Sequence, residues 1–319
     1  MPDRFKLTFY GTRGTRTVAG PEFVEFGGHT TCIHIEAGDR HLVFDSGSGI
    51  VKLGQDLMGK HFAAGAQGPL VSYLFHTHCH YDHIVGFPYY GPLYYPDSTT
   101  YVYGPRSPMM SFEDAMRAFV HPPYHPLPLH EMEGVVQWGE VNEPEAIFFV
   151  KGQEEPVVVN VKHSRLRQQA PPPEEVETVV RCLRGYNHPK SGVMVYRIEH
   201  AGRAVVVATD VEGYVHGDQR LIQFSKNAEV LIHDAMFTRD TYTNMPVPTQ
   251  GWGHATVSCA MDVGRQADVD RIYLVHHSPA HNDAKLRQLE EQARELFPRA
   301  MSARDGHSVD LLEDFPAKT

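Results

Sequence analysis

Hydrophobic and polar positions alternate with period two along Phe5-Lys6-Leu7-Thr8-Phe9-Tyr10, which predicts a strand with one buried face, and the run stops at the turn Gly11-Thr12-Arg13-Gly14-Thr15. Two more strands are expected at Thr31-Cys32-Ile33-His34-Ile35 and His41-Leu42-Val43-Phe44-Asp45, joined by a hairpin turn at Gly38-Asp39. After Asp45-Ser46-Gly47-Ser48-Gly49 the pattern changes. Ile50, Leu53, Leu57 and Met58 recur at helical spacing, so a helix is predicted over 50–59. Val71-Ser72-Tyr73-Leu74-Phe75 is a short apolar run of the kind a buried strand makes.

The stretch 104–187 is less regular and reads as an insertion or lid within a single domain spanning 1–319. A helix is expected from Ser111, a residue able to cap it, to Val120, with Glu113 and Asp114 near its positive end. His121-Pro122-Pro123-Tyr124-His125-Pro126-Leu127-Pro128 holds too many prolines for regular structure. It is a stiff segment that could wall a cleft with Tyr124 and His125. Strands follow at 146–150 and 157–161, then an exposed loop over 168–177 with three prolines and three glutamates. Alternation resumes at Val193-Met194-Val195-Tyr196-Arg197-Ile198, turns at Gly202, and continues as an apolar strand from Ala204 to Ala208 that ends at Thr209-Asp210. Further strands at 229–232 and 272–275 run into His233-Asp234 and His276-His277, with helices predicted over 256–266 and 283–296. Strands interleaved with helices in this order fit a layered α/β sandwich.

Composition narrows the function. The 319 residues are 41% hydrophobic, ordinary for a globular core, and carry a net charge of −10 with a pI near 6.1. No clustered basic face is available for gripping nucleic acid, so a small-molecule substrate is favoured over a polynucleotide. Cys32, Cys79, Cys182 and Cys259 are scattered without paired spacing, as in reduced thiols. Met1-Pro2-Asp3-Arg4-Phe5-Lys6 leads straight into a strand with no apolar leader, and no run is long enough to span a membrane. The expected location is the cytoplasm.

The candidate chemistry is concentrated in His76-Thr77-His78-Cys79-His80-Tyr81-Asp82-His83, which puts four imidazoles and a carboxylate in eight residues directly behind a buried strand. Neutral imidazole and carboxylate suit zinc and similar divalent ions. His78 and His80, two residues apart, can converge on one ion while Asp82 and His83 turn toward another. A site for two ions shares a hydroxide between them, lowers the pKa of its parent water, and clamps the attacking and leaving oxygens of a phosphoryl transfer.

Thr77-His78-Cys79-His80-Tyr81-Asp82-His83 matches the T-H-x-H-x-D-H signature, and the chain resembles the metallo-β-lactamase superfamily over most of its length. The resemblance implies a four-layer αββα sandwich with two divalent metal ions, zinc or alternatively manganese or iron, in a cleft at the strand ends. It implies that His78, His80 and His188 hold one ion, that Asp82, His83 and His276 hold the other, and that Asp210 bridges them. His276 and His277 compete for the last position, and His276 stands where the family ligand does. Gly253-His254-Ala255-Thr256 is similar to the Gly-His-Ser-Thr stretch of the ribonuclease Z-like phosphodiesterase branch, in which the His assists the leaving group; Ala255 departs from that pattern. Gly11-Thr12-Arg13-Gly14, Gly27-Gly28-His29-Thr30-Thr31-Cys32 and Asn187-His188-Pro189 resemble a group of bacterial metal-dependent hydrolases within the branch, where Asn is usual at the position of His29.

The function expected is hydrolysis of a small phosphodiester, cyclic nucleotide-like among others, with Asp82 orienting a metal-bridging hydroxide and His254 protonating the leaving alkoxide. Hydrolysis of a lactone, thioester, sulfate ester or isothiocyanate at the same dimetal site is the alternative, and a metal-binding or sensing protein with little turnover is a second. His254 would need a carboxylate partner that the sequence does not identify. Asp45, His233 and Asp234 are expected to fix loops and ligands, and His29, His121, His125, His163 and His216 to lie on the surface or in cleft walls. Sandwiches of this kind often form homodimers.

Overall fold

The computed structural model describes residues 3–66, 68–244 and 246–316; Met1 and Pro2 of the opening segment lie outside the described residues. The first period-two runs form strands β1 (Phe5–Gly11), β2 (Cys32–Ala37) and β3 (Arg40–Phe44), followed by helix α1 (Ile50–Ala63), β4 (Leu70–Phe75), the single-turn α2 (Tyr81–Ile84) and β5 (Ser98–Pro105). Helix α3 (Phe112–Phe119) leads to β6 (Val135–Val141), β7 (Glu145–Val150), β8 (Val157–Asn160), the short α4 (Ser164–Arg167), and the hairpin of β9 (Val176–Gly185) and β10 (Val193–His200). The rest of the chain runs β11 (Arg203–Ala208), α5 (Gln219–Phe224), β12 (Val230–Asp234), α6 (Arg239–Thr243), α7 (Val257–Ala267), β13 (Arg271–Val275), α8 (Asp283–Leu296), β14 (Ala300–Ser302) and β15 (Ser308–Asp310).

The strands form two sheets, ordered β15-β1-β2-β3-β4-β5-β6 and β14-β13-β12-β11-β10-β9-β7-β8. Strands β3 to β6 run parallel in the first, and β11 to β14 run parallel in the second. Alternate residues explain the layering. Phe5, Leu7 and Phe9 of β1 share one core with Met194, Tyr196 and Ile198 of β10, so that core lies between the sheets. Val193, Val195, Val206 and Leu231 face the other way, against Met261 of α7 and Leu289 of α8. Val43 and Leu74 likewise pack outward on Leu53 and Leu57 of α1 and Met116 of α3. The order is therefore helices, sheet, sheet, helices, the αββα sandwich expected. Both faces of the central strands are covered, which is why Ala204 to Ala208 reads as unbroken apolar residues rather than as an alternation.

Local signals account for most helix ends. The Ser111 hydroxyl accepts the Asp114 amide at 3.1 Å, Asn282 caps α8 by accepting the Lys285 amide at 3.0 Å, and α7 ends where Asp268 enters the left-handed region at φ 54°. Helix α1 runs through Gly59 to Ala63 and stops where Gly65 takes positive φ, 85°. Residues 104–187 supply β6 at the edge of one sheet and β7, β8 and β9 toward the edge of the other. The loop expected over 168–177 is shorter than that, since β9 begins at Val176. Among the described residues no helix is long and apolar enough to cross a membrane.

Candidate metal centre

The candidate site lies where the parallel portions of both sheets end. Phe75, the last residue of β4, passes into the His76–His83 loop, β3 and β13 are followed directly by Asp45 and His276, and Asp210 stands one residue beyond β11, after Thr209. Those three residues all adopt left-handed backbone, with φ of 61°, 57° and 59°. Non-glycine residues take that conformation only at a cost of about 1–3 kcal/mol, and the surrounding structure holds it where a side chain must be re-aimed at a strand end.

Donor atoms from separate segments meet there. His78, His80 and His188 form one group whose nitrogens lie within 4.8 Å of each other, with His188 Nε2 3.0 Å from His80 Nδ1. Asp82, His83 and His276 form a second: Asp82 Oδ2 is 3.3 Å from His83 Nε2 and 3.1 Å from His276 Nε2. The Asp210 carboxylate stands between them. Its Oδ1 is 3.8 Å from His78 Nε2 and 3.6 Å from His188 Nε2, while His83 Nε2 is 3.2 Å from Oδ2 and His276 Nε2 3.3 Å from Oδ1. All of these side chains are buried except His80, which is exposed. His78 Nε2 is buried with no hydrogen-bond partner among the described residues, an arrangement that is costly unless something else occupies the nitrogen. An orphaned imidazole nitrogen facing a carboxylate, in a set of only N and O donors, fits a divalent cation.

The outer contacts fix the orientation of these groups. Asp45 accepts the Thr77 amide at 2.7 Å and lies 2.7 Å from His83 Nδ1, which leaves His83 Nε2 directed into the site. Thr77 Oγ1 is 3.0 Å from His78 Nδ1, and the Gly253 carbonyl is 3.1 Å from His188 Nδ1, so both imidazoles also turn Nε2 inward. Burial holds His78 well below the usual histidine range, and burial brings His188 down to about 4. Burial opposes charge on His83 as well, but the Asp210, Asp82 and Asp45 carboxylates outweigh it and raise that residue. For Asp82 the order is reversed: burial raises its pKa, and His83 together with hydrogen bonding from His276 and His83 brings it well below the carboxylate range. His78 and His188 are thus held in the neutral form, and Asp82 in the ionised form, that bind metal, whereas His83 would have to give up a proton to a cation that takes its place among the carboxylates.

His254 sits against the same site, its ring stacked on His276 at 4.8 Å. Its Nδ1 is 2.8 Å from Asp234 Oδ2, and Asp234 Oδ1 also accepts the Ala255 amide at 2.9 Å. Asp234 is thus the partner His254 required. Burial would lower the His254 pKa, but Asp234 overcomes it and lifts the value to about 9. The Ala255 side chain is fully buried, and its amide rather than its side chain makes the contact with Asp234.

All seven residues expected as ligands come together with His254. His277 turns away, its Nε2 3.0 Å from the Ala303 carbonyl. Neither Tyr124 nor His125 falls within these donor groups: Tyr124 is 84% exposed, and His125 is buried against Tyr89 with Nδ1 2.7 Å from the Leu127 carbonyl. His29, His121, His163 and His216 are exposed, whereas His125 is not. Sequence reasoning missed the pairing of Asp234 with His254, although Asp234 ends an apolar strand as Asp210 follows one. It also missed the backbone of Gly14 and Thr15, which touches His276 and Asp82.

Comparison with known proteins agrees with this geometry. A beta-lactamase superfamily domain matches residues 40–277. Ribonuclease Z of Thermoplasma acidophilum is 24% identical over 336 aligned positions covering 96% of each chain. Among solved structures, human tRNase Z, short form, superposes with a TM-score of 0.59 at 18% identity, covering 95% of this chain and 98% of that one. A diphosphatase from the PhnP family also gives a TM-score of 0.59, at 13% identity, covering 96% and 97%. The chain belongs to the metallo-β-lactamase superfamily, in its ribonuclease Z-like branch, and is a metal-dependent hydrolase of that fold.

Proposed function

We propose that the protein hydrolyses a small phosphodiester at a site for two divalent ions, zinc in the first instance. His78, His80 and His188 would hold one ion, Asp82, His83 and His276 the other, and Asp210 would serve both. When bound, the pair supplies an activated water and neutralises charge developing on the phosphoryl oxygens. The protein's own part is to aim the imidazoles and deliver a proton. The observation that carries the phosphodiester reading is His254: it lies beside the proposed ligands, 3.9 Å from Asp210, and the Asp234 carboxylate at 2.8 Å favours its protonated form, the form that can pass a proton to a departing alkoxide. The ribonuclease Z and PhnP-type diphosphatase likenesses support chemistry at phosphorus. The net negative charge of −10 favours a small substrate over a long polyanion. The protein would act in the cytoplasm, alone or as a homodimer.

Leaving-group dependence tests this. His254→Ala should slow a diester with a poor alkoxide leaving group by about 10²- to 10⁴-fold, and a p-nitrophenyl ester, whose phenolate departs unaided, far less. Asp234→Asn should reproduce the pattern in milder form, with metal content near wild type in both variants. Equal losses for both esters would assign His254 to positioning. Turnover of a lactone, thioester or isothiocyanate but of no diester would overturn the phosphodiester reading.

A further inference from the structure

The turn after β1 has no part in the chemistry above, yet its backbone lies against two of the proposed ligands, His276 and Asp82. Residues 12–14 lie like a short strand between two others: the Thr12 and Arg13 amides both donate to the His29 carbonyl, at 3.0 and 2.9 Å, the Gly14 amide donates to the His277 carbonyl at 3.1 Å, and the His277 amide donates to the Thr12 carbonyl at 3.0 Å. The Arg13 side chain is completely buried. Its Nε donates to the Gly27 carbonyl at 2.8 Å and one terminal nitrogen to the His281 carbonyl at 2.7 Å, which ties the turn to the loop that follows His276. Only a guanidinium offers donors in the fork needed for two separated carbonyls.

Two contacts then reach the site. Gly14 leaves no room for a side chain, because a Cβ there would lie 2.2 Å from His276 Nδ1 and 2.3 Å from Cε1. The imidazole therefore rests directly on the Gly14 backbone. Thr15, a β-branched residue, takes the left-handed conformation at φ 66°, and in it the Thr15 amide donates to Asp82 Oδ2 at 2.7 Å. That conformation is unfavourable for Thr and is kept where the surrounding contacts impose it. Arg13 locks the turn, Gly14 seats His276, and Thr15 orients Asp82. No corresponding contact from this turn reaches His78, His80 or His188 in the described structure.

We propose that the Thr12–Thr15 turn is a positioning element for the Asp82, His83 and His276 half of the metal site, so that disturbing it weakens one metal position and spares the other. The inference rests on the two-position reading given under Proposed function.

The test is metal content of the purified holo-protein by elemental analysis, before and after dialysis against graded concentrations of chelator, with thermal melting by circular dichroism to follow the fold. Wild type should hold two ions. Gly14→Ala should keep one ion as tightly as wild type and release the other at about ten- to hundredfold lower chelator concentration, the usual penalty for losing support behind a metal ligand. Arg13→Lys, which keeps the charge without the fork, should show the same selective release to a smaller degree. His188→Ala should lose the opposite ion, and the double variant of His188→Ala with Gly14→Ala should retain none. Wild type at two ions with Gly14→Ala also holding both at wild-type affinity, or losing both in parallel, would overturn the inference alone. A single ion in wild type would overturn the two-position reading and this inference with it. If Gly14→Ala does not melt cooperatively, Arg13→Lys decides: a wild-type melt with both ions held as tightly as in wild type overturns the proposal.

Discussion

Strand β4 hands His78, His80, Asp82 and His83 to the site within six consecutive residues, whereas the second sheet supplies His188, Asp210, Asp234 and His276 singly, from the β9–β10 hairpin and the ends of β11, β12 and β13. The first group is organised locally. Its loop closes on itself through the His83 amide to the His80 carbonyl at 3.0 Å, and Asp45 on the neighbouring strand takes both Thr77 and His83. The second group has no such loop. Asp210, Asp234 and His276 are set by the register of parallel strands, Ala208 beside His233 and Asp234 beside Val275, and His188 by the antiparallel β9–β10 hairpin, so their geometry depends on the packing of the whole sheet. One half of the site is a motif, and the other is a consequence of the fold.

The residue that stands between the two proposed ion positions, Asp210, should be the most sensitive. Asp210→Asn removes one negative charge from between two proposed cation positions and leaves a neutral amide against His78, His83, His188 and His276. Elemental analysis should show both ions bound more weakly, and turnover of any substrate should fall to background. Retention of both ions with wild-type activity would show that the halves do not share this carboxylate.

A smaller effect is expected where the sheets are tied together behind the site. Tyr196 of β10 is fully buried between Phe44 and Phe75, and its hydroxyl donates to the His76 carbonyl at 2.7 Å. Tyr196→Phe leaves that buried carbonyl without its partner and should destabilise the fold by about 1–3 kcal/mol in denaturant unfolding of metal-free protein, with metal capacity kept. An unchanged midpoint would mean that the two halves are joined elsewhere. The smallest effect belongs to the Pro-rich segment. Tyr124→Ala removes an 84% exposed side chain, so stability and metal content should hold, and only the Michaelis constant or the substrate preference should move. Unchanged kinetics for every substrate would make the segment an ordinary surface connection.

The same contrast explains what could be read from the sequence. The motif half was legible residue by residue, because four donors stand together behind an apolar strand. His188, Asp210 and His276 were found through their resemblance to the family, since a lone His before Pro189 or a lone Asp after a strand carries no local mark of its partners. Asp234 was placed among the residues that fix ligands, but its pairing with His254 spans 20 residues and is created by the turn from β12 toward α7. The layered order of strands and helices was legible from periodicity. β5 was not: Ser98-Thr99-Thr100-Tyr101 carries too little apolar contrast to signal a strand that is buried by its parallel neighbours β4 and β6. β6 and β9 were not read either; β9 begins directly after prolines and glutamates that mark a loop but not where the loop ends.

The central claim is that both halves work as one two-ion centre, and titration of metal-free protein with zinc tests it most directly. Bound metal and diester turnover are followed together on one preparation. Turnover should stay low through the first equivalent of zinc and rise with the second, reaching its plateau at two ions per chain. Full turnover after one equivalent, unchanged by the second, would contradict the account.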